Sequence, residues 1–298
     1  MNILIVGGTG LTGATTARHL SAKGHQITLM SRSAPSNPAL AEFAHICADY
    51  IDSKIDVESL RGFDALIFAA GADIRMLPEG EDPAAFFHRA NTEAIPRFFN
   101  CAKQAGIKRA AYLGTYYPQV APEKIESDSY VQSRYHADKA IREMSDDDFS
   151  VCTVNPPFII GTFPGVVDAH LAAMTQYAAG LIEGLTPIAP DGGVFHITAQ
   201  SLAEALEGAL LHGVAGKAYL VGDEYWSWQE YIEAFCREAG NAQTLAVSRD
   251  EHPLLPDMIM YAGRNAEVRY TPENAPLDYS TGNIAAAIEA VVETYLPR

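Results

Sequence analysis

The chain is poor in cysteine and in positive charge, and it has no long apolar run. Its four cysteines in 298 residues (Cys47, Cys101, Cys152, Cys236) are far apart, with no Cys-x-x-Cys pair. That spacing argues against a disulfide framework and fits buried thiols in a reducing compartment. No metal site is expected. Lys and Arg number 21 against 37 Asp and Glu, a net charge of −16. So acidic a chain is not expected to attach to nucleic acid or to an anionic membrane, although a local basic pocket for an anionic cofactor is compatible with it. No apolar run nears the roughly 20 residues that span a bilayer. The opening "MNILIVGGTG" lacks the basic region, long apolar run and cleavage site of a signal peptide. The cytoplasm is the expected location. There is no internal repeat and no low-complexity tract.

What is present is an alternation of short β-rich runs with amphipathic stretches. "NILIV" (2–6), "QITLM" (26–30), "HICA" (45–48), "ALIFAA" (65–70), "RAAYLG" (109–114) and "VCTVN" (151–155) read as strands. Helical patterns fall at 12–24, 83–105 and 128–145. Continuous apolar strands alternating with helices predict an α/β fold, a Rossmann-type doubly wound parallel sheet covered on both faces. After residue 160 proline and glycine become frequent and the rhythm loosens. Helices are expected at 199–212, 227–239 and 282–295, with a strand at 217–222. The expected division is a dinucleotide-binding unit, 1–165, followed by a smaller, mixed substrate-binding region, 166–298. Elements of about 195–222 are expected to return to the main sheet.

"NILIVGGTGLTG" sets Gly7, Gly10 and Gly13 directly after the first strand, at the start of a helix. In that context the glycines permit a tight turn and a close approach to a pyrophosphate, which rests on the free N–H groups of the helix. Thr9 and Leu11 complete the loop, and Ala69 and Ala70, ending the fourth strand, face the same cofactor. An acid that bonds the ribose hydroxyls is normally found about 20 residues on. Here Ser31-Arg32-Ser33 stands instead, and a guanidinium suits a 2′-phosphate. NADP(H) is therefore favoured over NAD(H). Asp49, ending the third strand, is placed to meet the adenine edge.

The stretch "YVQSRYHADKA" holds two tyrosines, each with a cation four residues on: Tyr130 with Arg134, and Tyr135 with Lys139. Either cation lies one helical turn away and would favour a phenolate. Spacing alone does not choose between the pairs.

The glycine loop with a downstream Tyr-x-x-x-Lys resembles the extended (atypical) short-chain dehydrogenase/reductase superfamily, in its NAD(P)-dependent epimerase/dehydratase-like branch. The resemblance covers residues 1 to about 165. It selects Tyr135 as general acid or base and Lys139 as the group that holds the nicotinamide ribose, and leaves Tyr130–Arg134 as a surface pair. Thr115 matches the hydroxyl that bonds the substrate oxygen, and Asn91 the family's asparagine, although Pro96 should kink that helix. Pro156 falls among the cofactor contacts.

Three departures narrow the expectation. Tyr116 and Tyr117 stand where the dehydratases of this family carry an Asp-Glu pair. Asn155 and Phe158 replace the Arg and Asn of the sugar-nucleotide epimerases. Ser201 takes the usual Asp slot after His196, a histidine left without a role. "VNPPFIIG" is closest to the branch of dihydroflavonol, cinnamoyl and aldehyde reductases. The resemblance thus implies an NADP(H)-preferring oxidoreductase that interconverts a carbonyl and an alcohol. Nucleotide-sugar epimerase or reductase and non-catalytic dinucleotide sensor are the alternatives. Tyr116, Tyr117 and Phe158, with Phe163 and Trp226, are expected to wall the pocket, and "PEGEDP" (78–83) to be a solvated loop. The partners expected are a small-molecule substrate and at most a second copy in a homodimer, with no nucleic acid and no membrane.

Overall fold

A computed structural model describes residues 1–52 and 55–296. In chain order the first part runs β1 (Asn2–Val6), α1 (Leu11–Ala22), β2 (Gln26–Ser31), β3 (Ala44–Cys47), β4 (Ala65–Phe68), α2 (Pro83–Phe87), α3 (Ala94–Gln104) and β5 (Arg109–Leu113). It continues through α4 (Tyr117–Val120), α5 (Ser129–Arg142), β6 (Ser150–Asn155) and β7 (Phe158–Ile160). The remainder is α6 (Ala169–Ala178), β8 (Ala189–Pro190), β9 (Gly193–Thr198), α7 (Ala199–His212), β10 (Ala218–Leu220), β11 (Glu224–Ser227), α8 (Trp228–Glu238), β12 (Val247–Ser248) and α9 (Ile284–Tyr295).

Seven parallel strands form the main sheet in the order β10-β6-β5-β4-β1-β2-β3. Ile3 to Val6 and Ala65 to Phe68 are buried without interruption, as strands covered on both faces must be. Two cores result, one on each side of the sheet. The strand order reverses between β1 and β4, which opens a crevice at their carboxyl ends.

Past β6 the chain leaves this sheet at Pro156–Pro157 and builds a second one, β11-β9-β7. Helices α6, α8 and α9 pack on one another beside it. Between these elements α7 goes back to pack on α1, and β10 adds to the main sheet beside β6. Local signals set the helix ends. Thr198 caps α7 through the Ser201 N–H, and Ser227 with Glu230 forms a capping box on α8. Among the described residues no helix is long and apolar enough to cross a membrane.

Pro96 changes the helix before it rather than ending it. His88–Glu93 forms a π-helical turn that runs into α3, with Pro96 third in the α-helical part. A proline ring clashes with the carbonyl four residues back, and the widened turn relieves that clash. The acidic loop is solvated, with Pro78, Glu79, Gly80, Asp82 and Pro83 exposed and Glu81 half-buried. Asp82 caps α2 through the Ala85 N–H, and Glu81 accepts from Arg89 at 2.9 Å.

Candidate active site

The glycine loop fits a dinucleotide. Gly7 has φ +78°, and a side chain there would stand 2.8 Å from the Ala69 carbonyl oxygen. Gly13 lies against the Gly7 carbonyl with no room for a methyl group. Gly10 is different: a Cβ on it would meet only the Gly7 oxygen, at 3.6 Å. It is the N-cap of α1, no side chain caps that helix end, and the first turn carries no acid. Free N–H groups and the positive end of the helix dipole therefore face an open cleft, as a pyrophosphate requires.

That cleft, about 370 Å³, is lined by Gly7, Gly10, Leu11 and Gly13 from the loop, Ala69 and Ala70 after β4, and Thr115, Pro156, Tyr130 and Arg134 beyond. Thr9 is half-buried and is not part of the lining. Arg32 is exposed just past β2, and Asp49, whose Oδ1 accepts from the Ile51 N–H, follows β3. Neither touches the cleft itself.

The structure does not bring Tyr135 and Lys139 to the cleft. Lys139 is exposed and lies 3.9 Å from Glu143, and Tyr135 packs edge-on against His136. Tyr130 and Arg134, expected at the surface, are instead 8% and 7% exposed and line the cleft. The reason is helical phase. Tyr135 comes five residues after Tyr130, a rotation of roughly 140° at 3.6 residues per turn. The buried stripe of α5 is Tyr130, Val131, Ser133, Arg134, Ala137, Asp138 and Ile141. Within it Tyr130, Arg134, Ala137 and Ile141 follow the i, i+4, i+7, i+11 rule for one face, a signal the sequence already carried.

Arg134 is held on three sides. Its Nη1 donates to the Tyr130 hydroxyl at 3.1 Å, Nε to the Tyr112 hydroxyl at 3.0 Å and Nη2 to the Leu113 carbonyl at 2.9 Å. Burial by itself would lower the guanidinium pKa, but the Tyr112 and Tyr130 phenols outweigh it and hold the group above its ordinary value. Asn91 is fully buried behind the cleft. It exchanges two hydrogen bonds with the Ala72 backbone and donates to Ser133 Oγ, so it ties the loop after β4 to α5 without facing the cleft.

Next to the cleft is a cavity of about 270 Å³. Thr115 and Tyr130 belong to both spaces, and Tyr116, Tyr117, Phe158 and Tyr261 form aromatic walls. Tyr261, from the segment before α9, stacks on Tyr130 at 4.5 Å between centroids. Sequence reasoning missed it because its partner lies 131 positions earlier in the chain. Phe163 is not a wall. It is buried in the core on the opposite side of the sheet, with Arg18 over its ring at 4.1 Å. Trp226 sits half-buried on β11, donating to Glu224, outside the cavity lining. His196 is fully buried and stacks on Tyr231 at 4.7 Å, and burial lowers its pKa to about 3. Ser201 is buried with its hydroxyl 2.8 Å from that of Thr198.

The cavity carries little positive charge. Among its described lining residues Arg75 is the single Lys or Arg, and it is closed on Asp73 at 2.6 Å. Asp168 and His170 also line it. Burial holds the His170 ring below the ordinary histidine range, against the opposing pull of Asp168.

Fold and cleft together define a dinucleotide-binding protein of the doubly wound class. The chain belongs to the NAD dependent epimerase/dehydratase family, whose model matches residues 3–193, and so to a family of NAD(P)-dependent enzymes of the short-chain dehydrogenase/reductase type. A Synechocystis relative, named provisionally as a dihydroflavonol 4-reductase, is 26% identical over 172 residues, 53% of this chain and 49% of that protein. The match thus spans about half of that relative's length. Among solved structures, the crystal structure of gox2253 superposes with a TM-score of 0.80 at 18% identity, covering 98% of this chain and 97% of that one. The UDP-N-acetylglucosamine 4-epimerase of Bacillus cereus gives 0.73 at 16% identity over 99% and 96%. Bordetella bronchiseptica WbmG in complex with NAD gives 0.75 at 18% identity over 99% and 94%. At these identities the structural likeness shows the fold alone.

Proposed function

We propose that the protein is an NADP(H)-preferring oxidoreductase that interconverts a carbonyl and an alcohol on an uncharged organic substrate, with Tyr130 as the proton-transfer residue. The observation that carries this reading is the Arg134 Nη1 contact on the Tyr130 hydroxyl, between the dinucleotide cleft and an aromatic cavity. Because the Tyr130 oxygen accepts from Arg134, its own proton is directed elsewhere, toward an acceptor in the cavity. Tyr130 gives that proton to a substrate carbonyl oxygen in reduction and takes it back in oxidation. Arg134 offsets the charge that develops on the phenolic oxygen, and Thr115 donates to the substrate oxygen. Hydride transfer is the chemistry the bound dinucleotide supplies.

The cavity favours this reading over a sugar-nucleotide activity. A diphosphate calls for charge-assisted donors, and the one Arg of the lining is already paired with Asp73. The positions after Thr115 carry Tyr116 and Tyr117, whose buried phenols are pushed up and stay neutral. They supply no carboxylate for removal of water. A screen of neutral ketones, aldehydes and the matching alcohols, followed by NADPH absorbance, should find turnover. UDP and dTDP should leave the melting temperature unchanged, and stabilisation by either would sink the reading.

The cofactor preference rests on Arg32. It is exposed at the end of β2 and flanked by the Ser31 and Ser33 hydroxyl residues, with no carboxylate at that strand end. A charge-assisted hydrogen bond is worth about 1.5–3 kcal/mol. Arg32→Ala should therefore weaken NADPH binding roughly 10- to 100-fold and NADH binding by less than about threefold. Titration of cofactor fluorescence measures both, and equal losses would remove the 2′-phosphate argument.

A further inference from the structure

Arg134 has three acceptors, and only one of them belongs to the proton-transfer residue. Resting on the reading of Tyr130 above, we propose that Tyr112 is a positioning residue for catalysis, its hydroxyl fixing the Arg134 fork so that Nη1 stays on the Tyr130 oxygen.

Tyr112 lies on β5 and is fully buried, with its ring packed edge-on against Phe99 at 6.1 Å and tilted against Phe68 at 6.1 Å. The ring thus has a core role, and the hydroxyl has a separate one. It accepts from Arg134 Nε at 3.0 Å, while the adjacent Leu113 carbonyl accepts from Nη2 at 2.9 Å. Two neighbouring acceptors on one strand therefore hold two nitrogens of a rigid planar group, and that sets where the third nitrogen points. The loop after β4 closes the remaining side, since a side chain at Gly71 would stand 3.0 Å from Nη1. An ammonium in the same place would be a point charge on a flexible stem and would gain no orientation from the strand. The Tyr112 hydroxyl matters because residue 134 is an arginine.

Tyr112→Phe keeps the ring and removes only the acceptor. Nε is left without a partner, and the fork is free to turn away from Tyr130. The expected result is a fall of about tenfold or more in kcat, the size of one lost hydrogen bond to a charged group. The dissociation constant for NADPH and the KM for substrate should stay within about twofold. The limb of the pH–rate profile that reports the phenol should move to higher pH, because the developing phenolate loses its stabilising donor. In an Arg134→Lys background the same change should have little further effect, since no fork remains to be aligned. A purely structural role would lower the melting temperature, leave the pH limb in place and act equally in both backgrounds. Either an unmoved limb in the single variant or an undiminished effect in the Arg134→Lys background overturns the proposal. The limb of the single variant decides alone should the double variant not fold. Failure of the underlying reading looks different, because Tyr130→Phe would then keep its turnover.

Discussion

Tyr130→Phe should lower kcat by on the order of 10²- to 10⁴-fold, the range that a positioned acid or base contributes. The dissociation constant for NADPH should hardly change. Tyr135→Phe, five residues along the same helix, should leave both within about twofold. The contrast is demanding because the two residues share a helix, a side-chain type and a cation four positions on. They differ in phase. Tyr130 lies on the buried stripe of α5, with its hydroxyl on Arg134 Nη1 and its ring stacked on Tyr261. Tyr135 touches His136, and its cation Lys139 is exposed beside Glu143. The phenylalanine at 130 would keep the stack on Tyr261 but leave a buried Arg134 donor unpaired, at a cost of about 1–3 kcal/mol of stability. A thermal melt should therefore move down modestly while the fold survives. Undiminished turnover in Tyr130→Phe would remove this residue from the chemistry, and loss of turnover in Tyr135→Phe would return the role to the outer pair.

The main sheet was legible because its first six strands are short local β-rich runs, of which β1, β4 and β6 are buried nearly throughout. The second sheet was not. β7 is three residues long and follows two prolines, while β9 and β11 recognise each other across a helix and another strand. Pairings of that kind leave little periodic trace. The five strands β7, β8, β9, β11 and β12 went unread for that reason, and the helices α4 and α6 also went unread. At the site the glycine loop was read from a local turn that the fold does require. Of the two tyrosine pairs, Tyr135–Lys139 is selected by the resemblance alone, because both candidates satisfy the i, i+4 spacing. What separates them is which face of α5 meets β5, and the stripe ending at Ile141 holds that information. The resemblance favours the lysine, whereas the amphipathic phase of the helix buries the arginine. The aromatic walls divide in the same way. Tyr116 and Tyr117 follow Thr115 directly and were found, whereas Tyr261 reaches the cavity only through the packing of the later region.

Gly10→Ala and Gly13→Ala should both weaken dinucleotide binding strongly, but only the second should damage the fold. At Gly13 the added methyl would overlap the Gly7 carbonyl and come within 2.8 Å of Gly8 Cα, both backbone atoms of a tight loop. Neither can move without shifting α1 against β1, so the cost is that of overpacking, about 1–3 kcal/mol. At Gly10 the methyl meets nothing nearer than 3.6 Å, and the backbone, at φ −81°, suits any residue. The loss of stability there should not exceed about 1 kcal/mol, the scale of an N-cap preference. The methyl would instead project over the free N–H groups at the start of α1, where a phosphate must come into contact. If two charge-assisted N–H contacts fail, at about 1.5–3 kcal/mol each, affinity falls by roughly 10²-fold or more. Paired melts and cofactor titrations on the two variants separate the glycine that folds the loop from the glycine that leaves room for the ligand. A Gly10→Ala variant that binds NADPH at full strength would show that the phosphate does not sit on this helix end, and the assignment of the cleft would fall with it.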